Sequence, residues 1–502
     1  MEENNGIKIA HVINLPTLNL KAQLNMNVDS NTHIKQVLNI DACLIESEIE
    51  PLFNKAVIKG KVGIKVLYID IDGMYNTLAD TINFNENISN ESITTDCEII
   101  INNSQFLTNF NYDDKTLHIT IEGNIDCFCN LNSGFNAFNQ INDNLVVKKS
   151  LLQACSCVQK INKDVSFDCD FKLDSKMNKL LSCESQIIVE ENKCYNGYVV
   201  INGQIINNII YEFENEGSSL IKLFSNTTPF KIEVEASNCD SECLADMSAY
   251  INFDSTQINT DIGDNYTNIS FEYCIVTSGY VYKNINVDIV EDLYSLDSEV
   301  ETIDGDYAIC KKLPYFKSTE NVDTEITLAD DLNVDEIIGM INTSSNITKQ
   351  STNQGLLTIE GVINGNMLYL DENKQLHHLP TQVPYLVNIK QDFNEDICAS
   401  HLCIVPTNCK CKIKRGNTLI VDYEICVNGN MYAKNSVKII ENVKYGKVID
   451  YKDIAFQIFV AHNNESQWDL CKRLHITSDK LCEFNKENPP TYMGGEKIIV
   501  YR

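Results

Sequence analysis

Apolar and polar residues alternate in short runs along most of the chain, which is the pattern of a half-buried β-strand. Three stretches share a more detailed version of it, in which a glycine is followed eight positions later by a tyrosine. Apolar residues precede each tyrosine, and an acidic turn follows it. A glycine inside a strand indicates a bulge or a close approach of two backbones. The pairs are Gly60 and Tyr68, Gly203 and Tyr211, and Gly361 and Tyr369.

These glycine–tyrosine pairs mark a repeated unit of domain size. The glycines are 143 and 158 residues apart, far more than the period of a solenoid repeat. Strand-like segments flank each copy, so we predict three similar all-β domains and favour sandwiches over barrels. Their predicted bounds are 1–145, 146–285 and 286–450. We interpret the pairs as packing groups and not as catalytic groups, because a tyrosine at a strand end usually packs its ring.

The pattern changes in the terminal module, residues 455–502, where strand, helix, helix and strand are predicted in turn. Ser466 followed by Asp469 resembles a capping box that starts the first helix. Thr477 or Ser478 can cap the second helix, which two consecutive prolines end. The predicted fold is therefore mainly β, with three sandwich-like domains followed by a small βααβ module.

Charge divides the chain at the same place. The formal net charge is −30, so we expect no nucleic-acid partner, because phosphate binding needs a basic surface. The terminal module carries six acids and six bases, which puts the whole excess on residues 1–454. The start of the chain is acidic where a secretion signal is basic, and no apolar run reaches 18 residues. We expect no transmembrane segment and a chain that is made and kept inside a cell.

Twenty cysteines are unusual for such a chain, because intracellular disulfides are rare. Their spacings do not form a zinc motif. C-x-C recurs, and on a strand its two side chains share a face but cannot bridge without distortion. Three interpretations stay open: buried thiols acting as small apolar residues, oxidative cross-links between chains, and metal binding. The C-x-C pairs are Cys127 and Cys129, Cys155 and Cys157, and Cys409 and Cys411.

The sequence contains no recognisable catalytic motif. The phosphate-binding, dinucleotide-binding, serine-hydrolase and zinc-protease motifs are all missing. His377 and His378 follow the third acidic turn, and we interpret them as part of a solvated loop and not as a metal site. We therefore expect no catalytic residues, no metal, no cofactor and no enzymatic activity.

The terminal module resembles the LysM domain in its βααβ order. The matching features are Trp468 at the start of the first helix, Asn485 at the end of the second, and Gly495 three residues before Ile498. The LysM family usually has a Gly-Asp-Thr-like turn before the first helix, which helps to hold N-acetylglucosamine. The sequence HNNESQW stands here instead, and this departure favours a protein ligand over a sugar.

The three upstream units resemble the SPOCS domain. SPOCS units followed by a terminal LysM domain resemble the SipL/SpoVID-like family of clostridial spore coat morphogenetic proteins. This resemblance implies a non-enzymatic scaffold in the mother-cell cytoplasm, at the forespore surface and in the spore coat. Its LysM domain would bind the coat-basement ATPase SpoIVA, alongside other coat proteins.

The candidate partner-binding residues lie on the turn and helices of the module. Trp468 has two compatible interpretations, as a core side chain or as an interface anchor. Two other functions stay open, a peptidoglycan-binding envelope protein and a self-associating, cysteine-cross-linked envelope subunit. The candidate residues are Asn463, Asn464, Glu465, Ser466, Gln467, Trp468, Asp469, Lys472 and Asn485.

Overall fold

The structure is a computed structural model, and it is mainly β, as predicted. Within the described residues the structure has two helices, and its other regular elements are strands. Neither of these helices is long and apolar enough to cross a membrane. The described residues are 7–501 except 29–31, 114, 136–137, 139–141, 216–217, 253–254, 265, 330–331, 354, 391–394, 415–416, 450–455 and 486–488.

The first sheet pair consists of seven strands in two antiparallel sheets. The strands are β1 (Ile7–Asn14), β2 (Leu18–Asn27), β3 (Ile34–Leu52), β4 (Lys55–Asp70), β5 (Tyr75–Ser89), β6 (Glu98–Tyr112) and β7 (Thr116–Phe135). In one sheet, β7 pairs with β1 and β2 along one edge and with β6 along the other. In the other sheet, β4 lies between β3 and β5.

The second sheet pair repeats this order with small changes. Its strands are β8 (Leu145–Leu173), β9 (Met177–Tyr195), β10 (Tyr198–Asn215), β11 (Ser218–Glu235), β12 (Leu244–Ile251), β13 (Gln257–Ile262) and β14 (Thr267–Ser295). The long β14 takes the place of β7, with β8 on one edge and with β12 and β13 on the other. Strand β10 lies between β9 and β11.

The third sheet pair has the same order again. Its strands are β15 (Ser298–Lys312), β16 (Phe316–Thr327), β17 (Glu336–Asn353), β18 (Leu356–Leu370), β19 (Leu376–Lys390), β20 (Ile397–Lys414) and β21 (Thr418–Val448). Strand β21 is central in one sheet and β18 in the other. The predicted boundary between residues 285 and 286 lies inside β14, and the boundary at 450–455 lies outside the described residues.

The terminal module follows, with its short strands and both helices. Its elements are β22 (Phe456–Val460), β23 (Glu465–Ser466), α1 (Gln467–Leu474), α2 (Ser478–Phe484), β24 (Thr491–Tyr492) and β25 (Lys497–Tyr501). Strands β22 and β25 pair antiparallel, so the two ends of the module lie side by side.

The glycine of each glycine–tyrosine pair lies on the central strand of a three-stranded sheet, under an aromatic ring. Gly203 faces Phe230 across the sheet, and a Cβ at Gly203 would lie 2.1 Å from the carbonyl oxygen of Ile188. The strand on its other side has a register shift at this point. Gly60 and Gly361 are covered in the same way. Of the two predicted alternatives the close backbone approach is confirmed, and the extra residue of the bulge lies in the neighbouring strand β9 and not in the strand that carries Gly203.

The residue before each of these tyrosines packs between the sheet pairs. The three tyrosines are buried in the core of their own sheet pair. Leu67, Ile210 and Leu368 instead share one apolar cluster, to which all three sheet pairs contribute. A second shared cluster contains Phe128, Tyr282 and Tyr432, from β7, β14 and β21. The three sheet pairs are therefore arranged around common cores with approximate threefold equivalence.

The predicted solvated loop at His377 and His378 is wrong. Both lie in β19, because the turn after Tyr369 closes before them. The ring of His377 stacks on Tyr369 at 5.4 Å, and its Nε2 lies 3.1 Å from a carboxylate oxygen of Asp371. His377 and His378 therefore belong to the packed sheet.

Candidate partner-binding site

The turn and helices of the module are held together by local caps. The Ser466 hydroxyl accepts a hydrogen bond from the backbone N–H of Asp469 at 3.1 Å, so the predicted helix start is confirmed. Thr477 caps α2 in the same way. The buried residues of α1 are Leu470, Cys471 and Leu474. The first helix is thus fixed by its own sequence.

Three of the nine candidate residues make their side-chain hydrogen bonds within the module itself. Glu465 is buried, and the guanidinium of Arg473 donates to it at 2.7 Å, which holds the pKa of Glu465 below its ordinary value. The side chain of Asn485 bonds to the backbone of Leu481 and of Ile499. Gln467 donates to the hydroxyl of Ser478 at 2.5 Å, which joins the two helices.

Trp468 and Lys472 converge on one carboxylate outside the module. The indole N–H of Trp468 donates to Asp292 Oδ2 at 2.7 Å, and Lys472 Nζ donates to Asp292 Oδ1 at 2.5 Å. Burial raises the pKa of Asp292, but these two hydrogen bonds outweigh it and hold the pKa below its ordinary value. Asp292 follows a register shift in β14 of the second sheet pair.

Further contacts fix the module against the end of β14. The hydroxyl of Tyr294 donates to the carbonyl of Ile476 at 2.7 Å, and its ring meets Trp468 edge to face at 5.1 Å. His475 Nδ1 lies 2.8 Å from the carbonyl oxygen of Ser295. Trp468 is therefore half-buried as a contact between the module and the second sheet pair.

The five remaining candidate residues fall into two groups. Asn463, Asn464 and Asp469 are exposed on the turn and at the start of α1. Asn464 has φ +59°, in the left-handed region that asparagine tolerates better than most residues. Trp468 and Lys472 instead face the second sheet pair, where both bond to Asp292.

An apolar face on the module is a further candidate that the sequence analysis missed. On the outer side of the β22–β25 sheet, Phe456 lies opposite Tyr501, and Ile458 lies opposite Ile499. With Val460, these five side chains are between 39% and 55% exposed. The signal was present in the sequence, since FQIFV and KIIVY place apolar residues on both faces of a two-stranded sheet.

A cavity of about 600 Å³ lies between the three sheet pairs. Strands β3, β9 and β17 line it together with β6, β12 and β20. Its polar groups include Lys160, Ser185 and His401. In the part of the chain that the structure describes, no three His, Cys, Asp or Glu side chains are grouped to hold a metal ion.

The fold defines a protein of paired β-sheets with a small helical module at one end. Two segments, residues 33–113 and 176–263, match the family model described as SipL, SPOCS domain. They lie in the first and second sheet pair, and each contains one glycine–tyrosine pair. The match shows a SPOCS domain that occurs at least twice in this chain, and it supports a likeness to SipL-like sporulation proteins. No curated protein and no solved structure matches the chain.

Proposed function

We propose that the chain is a non-enzymatic scaffold of the spore coat, which binds a SpoIVA-like coat-basement ATPase through its terminal module. The proposal treats the module as a LysM domain and the third sheet pair as a third SPOCS domain. It places the protein in the mother-cell cytoplasm at the forespore surface, where it helps to encase the forespore.

The exposed apolar face of the module is the observation that carries this proposal. A contiguous apolar surface on a small domain marks a contact with another protein. The exposed turn at Asn463 and Asn464 provides polar groups on the same small module. Because Asp292 holds the module against the second sheet pair, a bound partner would be presented in one orientation.

The test is a pull-down of full-length protein with a purified SpoIVA-like ATPase. Ile458→Asp places a charge on the apolar face, and Leu386→Asp is the matched control, because Leu386 is equally exposed on β19 of the third sheet pair. We expect Ile458→Asp to lose partner binding and Leu386→Asp to retain it. A further variant lacking residues 455–502 should bind no partner. Equal binding by all four proteins would overturn the proposal.

Peptidoglycan binding is the second candidate, because the strand, helix, helix and strand order resembles a LysM domain. The same four proteins can be incubated with purified cortex peptidoglycan. Retention on peptidoglycan that depends on residues 455–502, without binding of the ATPase, would replace the scaffold by an envelope anchor.

A cysteine-cross-linked subunit is the third candidate. Cys482 has an exposed side chain from which a bond between chains could form, whereas Cys403 lines the cavity between the sheet pairs. Non-reducing electrophoresis of the protein extracted from mature spores tests this candidate. A purely monomeric band would dismiss it.

A further inference from the structure

Two cysteines from different strands of the third sheet pair meet where that pair contacts the first. Cys310 lies on β15 and Cys398 on β20, and their sulfur atoms are 3.2 Å apart. Cys398 is the extra residue at a register shift against β21, and such a bulge redirects its side chain. The two strands lie on opposite sides of β21, so the pair spans the central strand.

The surroundings give the two thiols different chemistry. Cys310 is buried, whereas Cys398 is half-buried. Both sulfur atoms lie 3.8 Å from the carbonyl oxygen of Val12, on β1 of the first sheet pair. A hydrogen bond from Cys310 lowers the pKa of Cys398, which Lys434 also favours, and the same bond raises the pKa of Cys310. Cys398 is thus both the more acidic and the more accessible thiol.

We propose that Cys310 and Cys398 are an oxidative modification site, which a low-molecular-weight disulfide converts to an internal disulfide bond. In a disulfide the sulfur atoms are about 2.05 Å apart, so the two sulfur atoms must approach by roughly 1.2 Å. Because β15 and β20 lie on opposite sides of β21, the backbone at the Cys398 bulge must also move toward Cys310 to reach disulfide geometry. This site differs from cross-linking between chains, because both partners lie inside one folded chain.

The reaction proceeds by two thiol–disulfide exchanges. The Cys398 thiolate attacks one sulfur of the oxidant RSSR, which forms a mixed disulfide and releases RS⁻. Cys310 then passes its proton to the released thiolate and attacks the sulfur of Cys398, which expels the second RS⁻. The two cysteines lose two electrons and two protons, and the oxidant is reduced to two RSH.

The bond would join strands that are 88 residues apart in sequence, at the contact between the first and third sheet pairs. Cys409 and Cys411 provide a comparison, since their sulfur atoms are 3.9 Å apart on alternate positions of one strand. That spacing does not favour a bridge, because neighbouring same-face residues cannot reach disulfide geometry without distortion. Cys310 and Cys398 therefore have both the shorter sulfur–sulfur distance and the more favourable placement of these two pairs.

The experiment treats the folded full-length protein with oxidised glutathione, blocks remaining thiols with iodoacetamide, and maps the peptides by mass spectrometry without reduction. We expect a peptide pair joined through Cys310 and Cys398, with a higher melting temperature than the reduced protein. Cys310→Ser should stop at a glutathione adduct on Cys398, and Cys398→Ser should leave Cys310 alkylated. Cys411→Ser is the control and should leave the bond unchanged.

The wild-type peptide map decides the question even if a variant does not fold. Alkylated Cys310 and Cys398 in wild-type protein whose exposed Cys482 carries glutathione would overturn the proposal. A bond that appears only after denaturation, or that joins either residue to another cysteine, would also overturn it. Circular dichroism shows whether each serine variant keeps the β-sheet spectrum.

Discussion

At the scale of single residues, Asp292 is the carboxylate that binds the terminal module to the second sheet pair. It receives two hydrogen bonds from α1, and one of them is an ion pair with Lys472. Sequence alone leaves Trp468 as a core side chain or an interface anchor, and the contact it makes in the structure is with Asp292 of the same chain. Loss of partner binding in a Trp468 variant would therefore combine two effects, a changed surface and a loosened module.

Asp292→Asn should loosen the module without unfolding it. The amide keeps the size of the carboxylate but loses the ion pair, whose Lys472 side chain is 43% exposed. After allowance for solvent screening, we expect a loss of about 1 kcal/mol of docking free energy. Trp468 is the single tryptophan, so its emission should move to longer wavelength and quench more readily with acrylamide. Asp288→Asn, at an exposed position of β14, should leave the emission unchanged.

The same contact should weaken in acid. The pKa of Asp292 is lower when docked than its ordinary value of 3.8, so docking favours the carboxylate. The stabilisation is fully present above pH 3.8 and is lost as the pH falls through the lower, docked value. We expect a change in Trp468 emission below pH 3.8 that is missing in Asp292→Asn. A change centred near neutral pH would contradict this assignment.

At the scale of elements, each glycine–tyrosine strand is built around a close contact. Phe84, Phe230 and Tyr385 cover the three glycines from the neighbouring strand. A side chain at any of these glycines would clash with the covering aromatic ring on one neighbouring strand and with a backbone oxygen on the other neighbouring strand. This requirement gives a physical reason for the glycine in all three strands.

Gly203→Ala should destabilise the second sheet pair. Its Cβ would lie 2.1 Å from a backbone oxygen and 2.7 Å from Phe230, and such overpacking costs about 1–3 kcal/mol. Urea unfolding followed by circular dichroism measures the change. Gly446→Ala is the control, because its closest neighbour is the Glu299 side chain at 3.1 Å. Equal midpoints for the two variants would refute the close-contact explanation.

The sequence predicts a secondary-structure element correctly where residues close together in the chain determine that element. Alternation predicts the strands, Gly203 predicts a bulge or a close backbone approach, and Ser466 predicts the start of α1. The bond between Trp468 and Asp292 spans 176 residues, and no local pattern selects one carboxylate among so many. The mistake at His377 has a similar origin, since its packing against Tyr369 depends on where the preceding turn closes.

At the scale of the whole molecule, buried polar groups join the second and third sheet pairs. Asp246 on β12 is fully buried and accepts from His401 and Asn430 at 2.7 Å each, and also from the hydroxyl of Tyr432. Burial raises the pKa of Asp246, but His401 and its other neighbours outweigh it and lower the pKa overall. The buried Lys312 donates to Asn430. Because these hydrogen bonds join the second and third sheet pairs, we expect the two pairs to unfold together.

Asp246→Asn should therefore lower the stability of the whole molecule. Removing one charge from a buried network costs about 3–5 kcal/mol, because its partners stay buried without it. We expect a lower urea midpoint by circular dichroism. Asp261→Asn, at an exposed position of β13 in the same sheet, should be close to wild type. A separate early transition of the second sheet pair alone would argue against the coupling.

The shared cores have a consequence for shape. In a symmetrical trimer, the three identical subunits expose the same surface three times. Three similar units within one polypeptide can differ in sequence, so their surfaces can differ too. Among the described residues, the terminal module bonds to Asp292 of the second unit, which is one of three otherwise similar units. A partner bound to the module, as proposed above, would therefore lie away from the approximate threefold axis.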